Sequence, residues 1–96
     1  MQSSQWQELM RNKMLEIILS HYPDEGFLKA DGFDEAIIGI DSKNYNLVYS
    51  VNKCIHIIMR NSEMDFEEAY EYFYYNVESA YMGEGTPIWV IDAFDN

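Results

Sequence analysis

The chain runs out of positive charge early. All six lysines and arginines lie at or before Arg60, and beyond it come nine acids and no base. Binding nucleic acid through its phosphates needs Lys and Arg gathered on one face, so the sequence argues against that class of partner. Anionic membrane surfaces are disfavoured for the same reason. A single cysteine, Cys54, rules out an internal disulfide and agrees with a reducing compartment. The two histidines, His21 and His56, have no cysteine or second histidine at ligand spacing, which argues against a zinc site. No apolar run approaches the roughly 20 residues needed to span a bilayer. The opening MQSSQWQELMRNKM lacks the apolar centre of a signal peptide, so the expectation is a soluble cytoplasmic protein.

What is present is a core-forming composition with lopsided charge. Hydrophobic residues make up 48% and aromatics 16% of the 96 residues, too many for a disordered chain and enough for one domain spanning 1–96. The formal net charge is −11; eight acids face six bases up to Arg60, so most of the excess falls after it. Such a negative field attracts basic protein surfaces, including those that ordinarily hold nucleic acid.

The best-defined stretch is Asp65–Met82, DFEEAYEYFYYNVESAYM. Asp65 can accept from first-turn amides and Glu68 can reach back to the Asp65 N–H, a capping box that starts a helix near Phe66. At helical spacing Phe66, Ala69, Tyr70, Phe73, Val77 and Ala80 form the core-facing stripe, with Asn76 at its margin. Glu67, Glu71, Tyr75 and Glu78 face outward, and Tyr72 and Tyr74 flank on opposite sides. Gly83 supplies a left-handed stop and Pro87 keeps the helix from resuming. GEGTP, Gly83–Pro87, neither follows a strand nor opens a helix, so it lacks the setting of a phosphate loop.

Earlier in the chain, Ser4 to about His21 has helical periodicity through Trp6, Leu9 or Met10, Met14, Ile17 and Ile18, with Ser3 or Ser4 as cap and Pro23 as the end. This helix, within 1–22, is expected to sit at the periphery. Residues 23–35 form an acidic loop in which Phe27, Leu28 and Phe33 tuck under the domain. Ala36–Asp41, AIIGID, and Leu47–Tyr49 are expected to pair as a hairpin across SKNYN, with Gly39 marking either a bulge or a close backbone approach. Ser50 caps a helix over about Val51–Arg60 that buries Val51, Cys54, Ile55, Ile58 and Met59. Ile88–Phe94 is the last strand, apolar enough at its start to be covered on both faces. The order α-β-β-α-α-β predicts an α+β domain with a three-stranded, largely antiparallel sheet and helices packed on it.

Three strings, DGFDEAIIGID from Asp31, VYSVNKCIHIIM from Val48 and MDFEEAYEYFYYNVESAYMGEGTPIWV from Met64, carry a resemblance. Together they resemble a small family of bacteriophage and bacterial proteins with the pattern GFDxAIIG, VYxxxKCIxIxM and EEAxEYFxYNVxxAYxGExTPIWV. The family core corresponds to 31–94. The resemblance implies a phage or prophage setting and the cytoplasm of a bacterial host; it transfers no activity and no catalytic residue.

Three functional readings follow. In the first, a non-enzymatic binding protein without a cofactor inhibits or regulates a host protein through Glu67, Glu71, Tyr74, Tyr75 and Glu78, helped by Glu63 and Glu84. Tyrosine brings large apolar area, small entropy loss and a polar tip to such a surface. In the second, Asp34, Glu35 and Asp41 offer oxygen ligands for a hard cation or a nucleotide-bound metal, although Asp34 capping a turn and Asp41 accepting from the Ser42–Asn44 amides is the simpler role. In the third, the last strand joins copies of the chain into an assembly. Cys54 falls on the apolar stripe of its helix, where cysteine behaves as a small hydrophobe.

Overall fold

Ser50 shows how the sequence builds the centre of the domain. Its hydroxyl accepts from the Lys53 N–H at 3.1 Å, ending one strand and opening a helix within a single residue. In the computed structural model, which describes residues 13–23, 27–80, 83 and 85–92, the first helix α1 spans Met14–His21. A 3₁₀ turn over Asp34–Ala36 leads into strand β1, Ile37–Ile40, and β2 follows at Leu47–Ser50. Helix α2 occupies Val51–Ser62, helix α3 Phe66–Tyr72, and strand β3 Ile88–Val90. The α+β order expected from the sequence is present. The expected caps and start of α1, from Ser3 through Trp6 and Met10, lie outside the described residues.

β2 is central, in the order β1-β2-β3. β1 and β2 are antiparallel, with the register shifting between Ile37 and Gly39, so the glycine marks a bulge, one of the two roles anticipated for it. β2 and β3 run parallel, pairing Val48 with Ile88, Tyr49 with Trp89 and Ser50 with Val90. The sheet is therefore mixed rather than largely antiparallel. Two helices and the segment after them separate β2 from β3, which gives the long crossover a parallel pair requires.

The core gathers Ile37, Leu47, Tyr49, Cys54, Ile55, Ala69, Phe73 and their neighbours. Helix α2 buries Val51, Cys54, Ile55 and Ile58 as its periodicity predicts, and Ile57 as well. Tyr49 is fully buried, and its hydroxyl accepts from the Ala30 N–H at 2.8 Å, so the acidic loop is tied to the central strand. Phe27 and Phe33 pack against the core, whereas Leu28, expected beneath the domain, is exposed. Strand β3 is shorter and less covered than its sequence implies: its three residues are half-buried, and Ile91 is 64% exposed. Its position explains this, since among the described strands β3 stands last in the sheet order, beside β2. Among the described residues no helix is long and apolar enough to cross a membrane.

Candidate functional site

Helix α3 is fixed at its start by the capping box read from the sequence. Asp65 accepts from the Glu68 N–H at 2.8 Å, and Glu68 accepts from the Asp65 N–H at 3.0 Å. Beyond Tyr72 the helical run changes pitch, passing through a π segment at Phe73–Val77 and a 3₁₀ turn at Glu78–Ala80. Ser79 donates its hydroxyl to the Tyr75 carbonyl oxygen one turn back. The uniform helix expected to Met82 is thus an α-helix only to Tyr72, and residues 81 and 82 lie outside the described residues. Gly83 has φ +94, the left-handed backbone anticipated for it.

The buried side of this run is a narrow line of Ala69, Phe73 and Val77. Phe66 and Tyr70, placed on the core stripe by spacing, are each 47% exposed, and Ala80 and Asn76 are exposed too. The physical reason is that the rings find partners in one another. Phe66 and Tyr70 meet at a tilt with centroids 6.1 Å apart, Tyr70 and Tyr74 likewise at 4.9 Å, and Tyr74 meets the edge of buried Phe73. Phe73 continues to Trp89, and Trp89 to Tyr49. A row of rings on the helix surface is thereby anchored to the sheet.

Outward from these rings stand the carboxylates. Glu67, Glu71 and Tyr75 follow one another at i, i+4 and i+8, all exposed, with Tyr75 at 80% the most exposed large hydrophobic side chain among the described residues. Glu78 departs from the expectation: it is half-buried beside Tyr74. Burial, then Tyr70 and Glu78, push the Tyr74 phenol above its ordinary pKa. Glu63 is exposed at the left-handed residue that ends α2, and Glu84 lies outside the described residues. Two open depressions flank the crest of α3. One, of about 530 Å³, is lined by Asp65, Phe66, Glu67, Glu68, Tyr70 and Glu71. The other joins Met64, Tyr72, Tyr75 and Asn76 to the same Glu68 and Glu71. The first has the volume of a small-molecule site, yet it lies open along the helix and is walled by charge, which suits side chains of a partner better than an enclosed ligand.

The acidic positions around β1 are engaged one by one. Asp34 pairs with Lys29 at 3.3 Å, and Glu35 with Arg60 at 2.9 Å. Asp34 does not cap the 3₁₀ turn, whose N-cap Phe33 has no side-chain bond. Asp41 accepts from the Asn44 N–H at 2.8 Å, the turn role foreseen for it. Among the described residues no group of three or more His, Cys, Asp or Glu side chains is arranged to hold a metal. His56 is exposed, and His21 Nδ1 lies 2.9 Å from the Ile17 carbonyl oxygen, to which it donates when that nitrogen carries the proton.

One polar arrangement had no sequence signal. Ser50, fully buried, donates to Asp92 at 2.5 Å, which places a carboxylate at the N-terminus of α2. Cys54 lies one turn into the same helix; burial first, and then Asp92, push its thiol up to about 12. The thiol is thus kept protonated and inert. Ser50 and Asp92 are 42 positions apart in the chain, which hides this pair from any local pattern. No family model, curated protein or solved structure matches the chain.

Proposed function

We propose that this chain is a small non-enzymatic binding protein, phage-encoded and active in the cytoplasm of a bacterial host, that inhibits or regulates a partner by laying the outer face of α3 on a basic protein surface. The observation that carries the reading is the exposed Glu67–Glu71–Tyr75 row, borne by a capped helix and the π segment after it, in the part of the chain beyond Arg60 that has no lysine or arginine. Among the described residues neither Glu67 nor Glu71 has a basic partner, the two ion pairs being Lys29–Asp34 and Arg60–Glu35. Carboxylates at helical spacing can stand in for phosphates, so enzymes that handle nucleic acid, such as a defence nuclease or a polymerase, are the partner class whose grooves fit.

The test begins with affinity capture from host lysate at low and high salt to identify the partner, followed by association kinetics with the purified pair. Glu67→Lys with Glu71→Lys is expected to slow association and flatten its dependence on salt. Kinetics indifferent both to the reversal and to salt would remove this face from consideration. A second reading, assembly of copies through β3, draws support from the position of that strand at the end of the sheet order and from exposed Ile91. It requires a concentration-dependent mass in size-exclusion chromatography with light scattering, and a monomer at high concentration excludes it.

A further inference from the structure

Carboxylates on an exposed helix attract either lysine or arginine, and weakly. The outer face of α3 differs because each of its depressions sets exposed rings beside the acids: Phe66 and Tyr70 beside Glu67 and Glu71, and Tyr72 and Tyr75 beside Glu68 and Glu71. A guanidinium is planar, so it can lie on a ring while its N–H fork meets a carboxylate; an ammonium is a compact, strongly hydrated point charge and gains less from the ring. The spacing repeats along the helix. Phe66 and Tyr70 are one turn apart with their rings in tilted contact, and Glu67 and Glu71 are likewise one turn apart, so each turn offers one ring and one carboxylate.

Resting on the binding role proposed above, we infer that the segment received by α3 is a protein helix bearing arginines one turn apart, each seated between the ring row and the carboxylate row. Charge complementarity selects the sign of the partner, and the rings select arginine over lysine. The row also sets the register, because successive guanidinium groups must match the four-residue repeat of Phe66 and Tyr70. Glu68 adds a limit: one of its oxygens already accepts from the Asp65 N–H, so it lends charge to both depressions while its position stays fixed by the cap.

The experiment uses the full chain and two synthetic helical peptides, identical except that one carries arginine and the other lysine at i, i+4 positions. Fluorescence anisotropy across a salt series reads the affinities. The arginine peptide is expected to bind about tenfold more tightly at matched salt, the effect of a ring contact added to a charge contact. Phe66→Leu with Tyr70→Leu should bring the two affinities together while leaving the lysine peptide nearly unchanged. Glu67→Gln with Glu71→Gln should weaken both. Equal affinities for the unaltered protein overturn the arginine inference and leave the acidic-face reading standing; no salt-sensitive binding of either peptide overturns both. A preference that survives in the leucine variant overturns its assignment to these rings. The comparison on the unaltered protein decides the matter even if a variant folds poorly.

Discussion

Tyr49 carries more of the structure than its position in a short strand announces. Its ring is fully buried, 5.1 Å from that of Trp89, while its hydroxyl holds the Ala30 N–H. Tyr49→Phe would keep the ring and strand the amide, costing about 1–3 kcal/mol. For a domain of this size each kcal/mol is worth roughly 4–8 °C in melting temperature, so a thermal scan would show the loss clearly. Cys54 makes the second residue-scale prediction. With its thiol raised from 9.0 to about 12, it should resist alkylating reagents in the folded state near neutral pH and react only on unfolding. A raised pKa means the folded state holds the proton more tightly. That contribution is complete below pH 9.0 and is lost progressively as pH climbs toward 12, where denaturant midpoints should fall more steeply than in Cys54→Ala.

At the scale of elements, α3 shows what a local pattern can and cannot convey. The capping box was legible because both of its bonds join residues three apart. Asp65→Ala should therefore cost about 1 kcal/mol and raise amide hydrogen exchange selectively in the first turn of α3. The width of the buried stripe was not legible. Periodicity places Phe66 and Tyr70 on one side of a helix but cannot say whether the domain extends far enough to cover them. Here it does not, and the rings cover one another. The π segment likewise gives no propensity signal; Phe73 and Val77 stay buried on either end of it. The hairpin, the bulge at Gly39 and the Ser50 cap were legible for the same reason as the capping box, being short-range. The Ser50–Asp92 tie and the Tyr49–Ala30 bond were not, because their partners meet only once the fold is complete.

For the whole molecule the governing quantity is the −11 charge, most of it contributed after Arg60. Like charges held in a folded domain repel, and counter-ions screen them over a distance of about 10 Å at 0.1 M salt. Raising sodium chloride should therefore raise the melting temperature while weakening any partner bound through the acidic face. Measured on one preparation, these opposite trends separate self-repulsion from recognition. The direction of β3 belongs to this scale too. Counting elements predicted three strands correctly, but only the path of the two intervening helices turned the last one parallel to β2.

That parallel pairing has a consequence for how the polypeptide is made. Val48 must wait for Ile88, and Tyr49 for Trp89, each forty positions further along. During synthesis the hairpin and α2 can form first, yet the central strand keeps one bare side until the chain has been made as far as β3. A ribosome stalled before Trp89 would hold out a nascent chain whose buried tyrosine and phenylalanine lack their indole neighbour, ready for a chaperone or a protease.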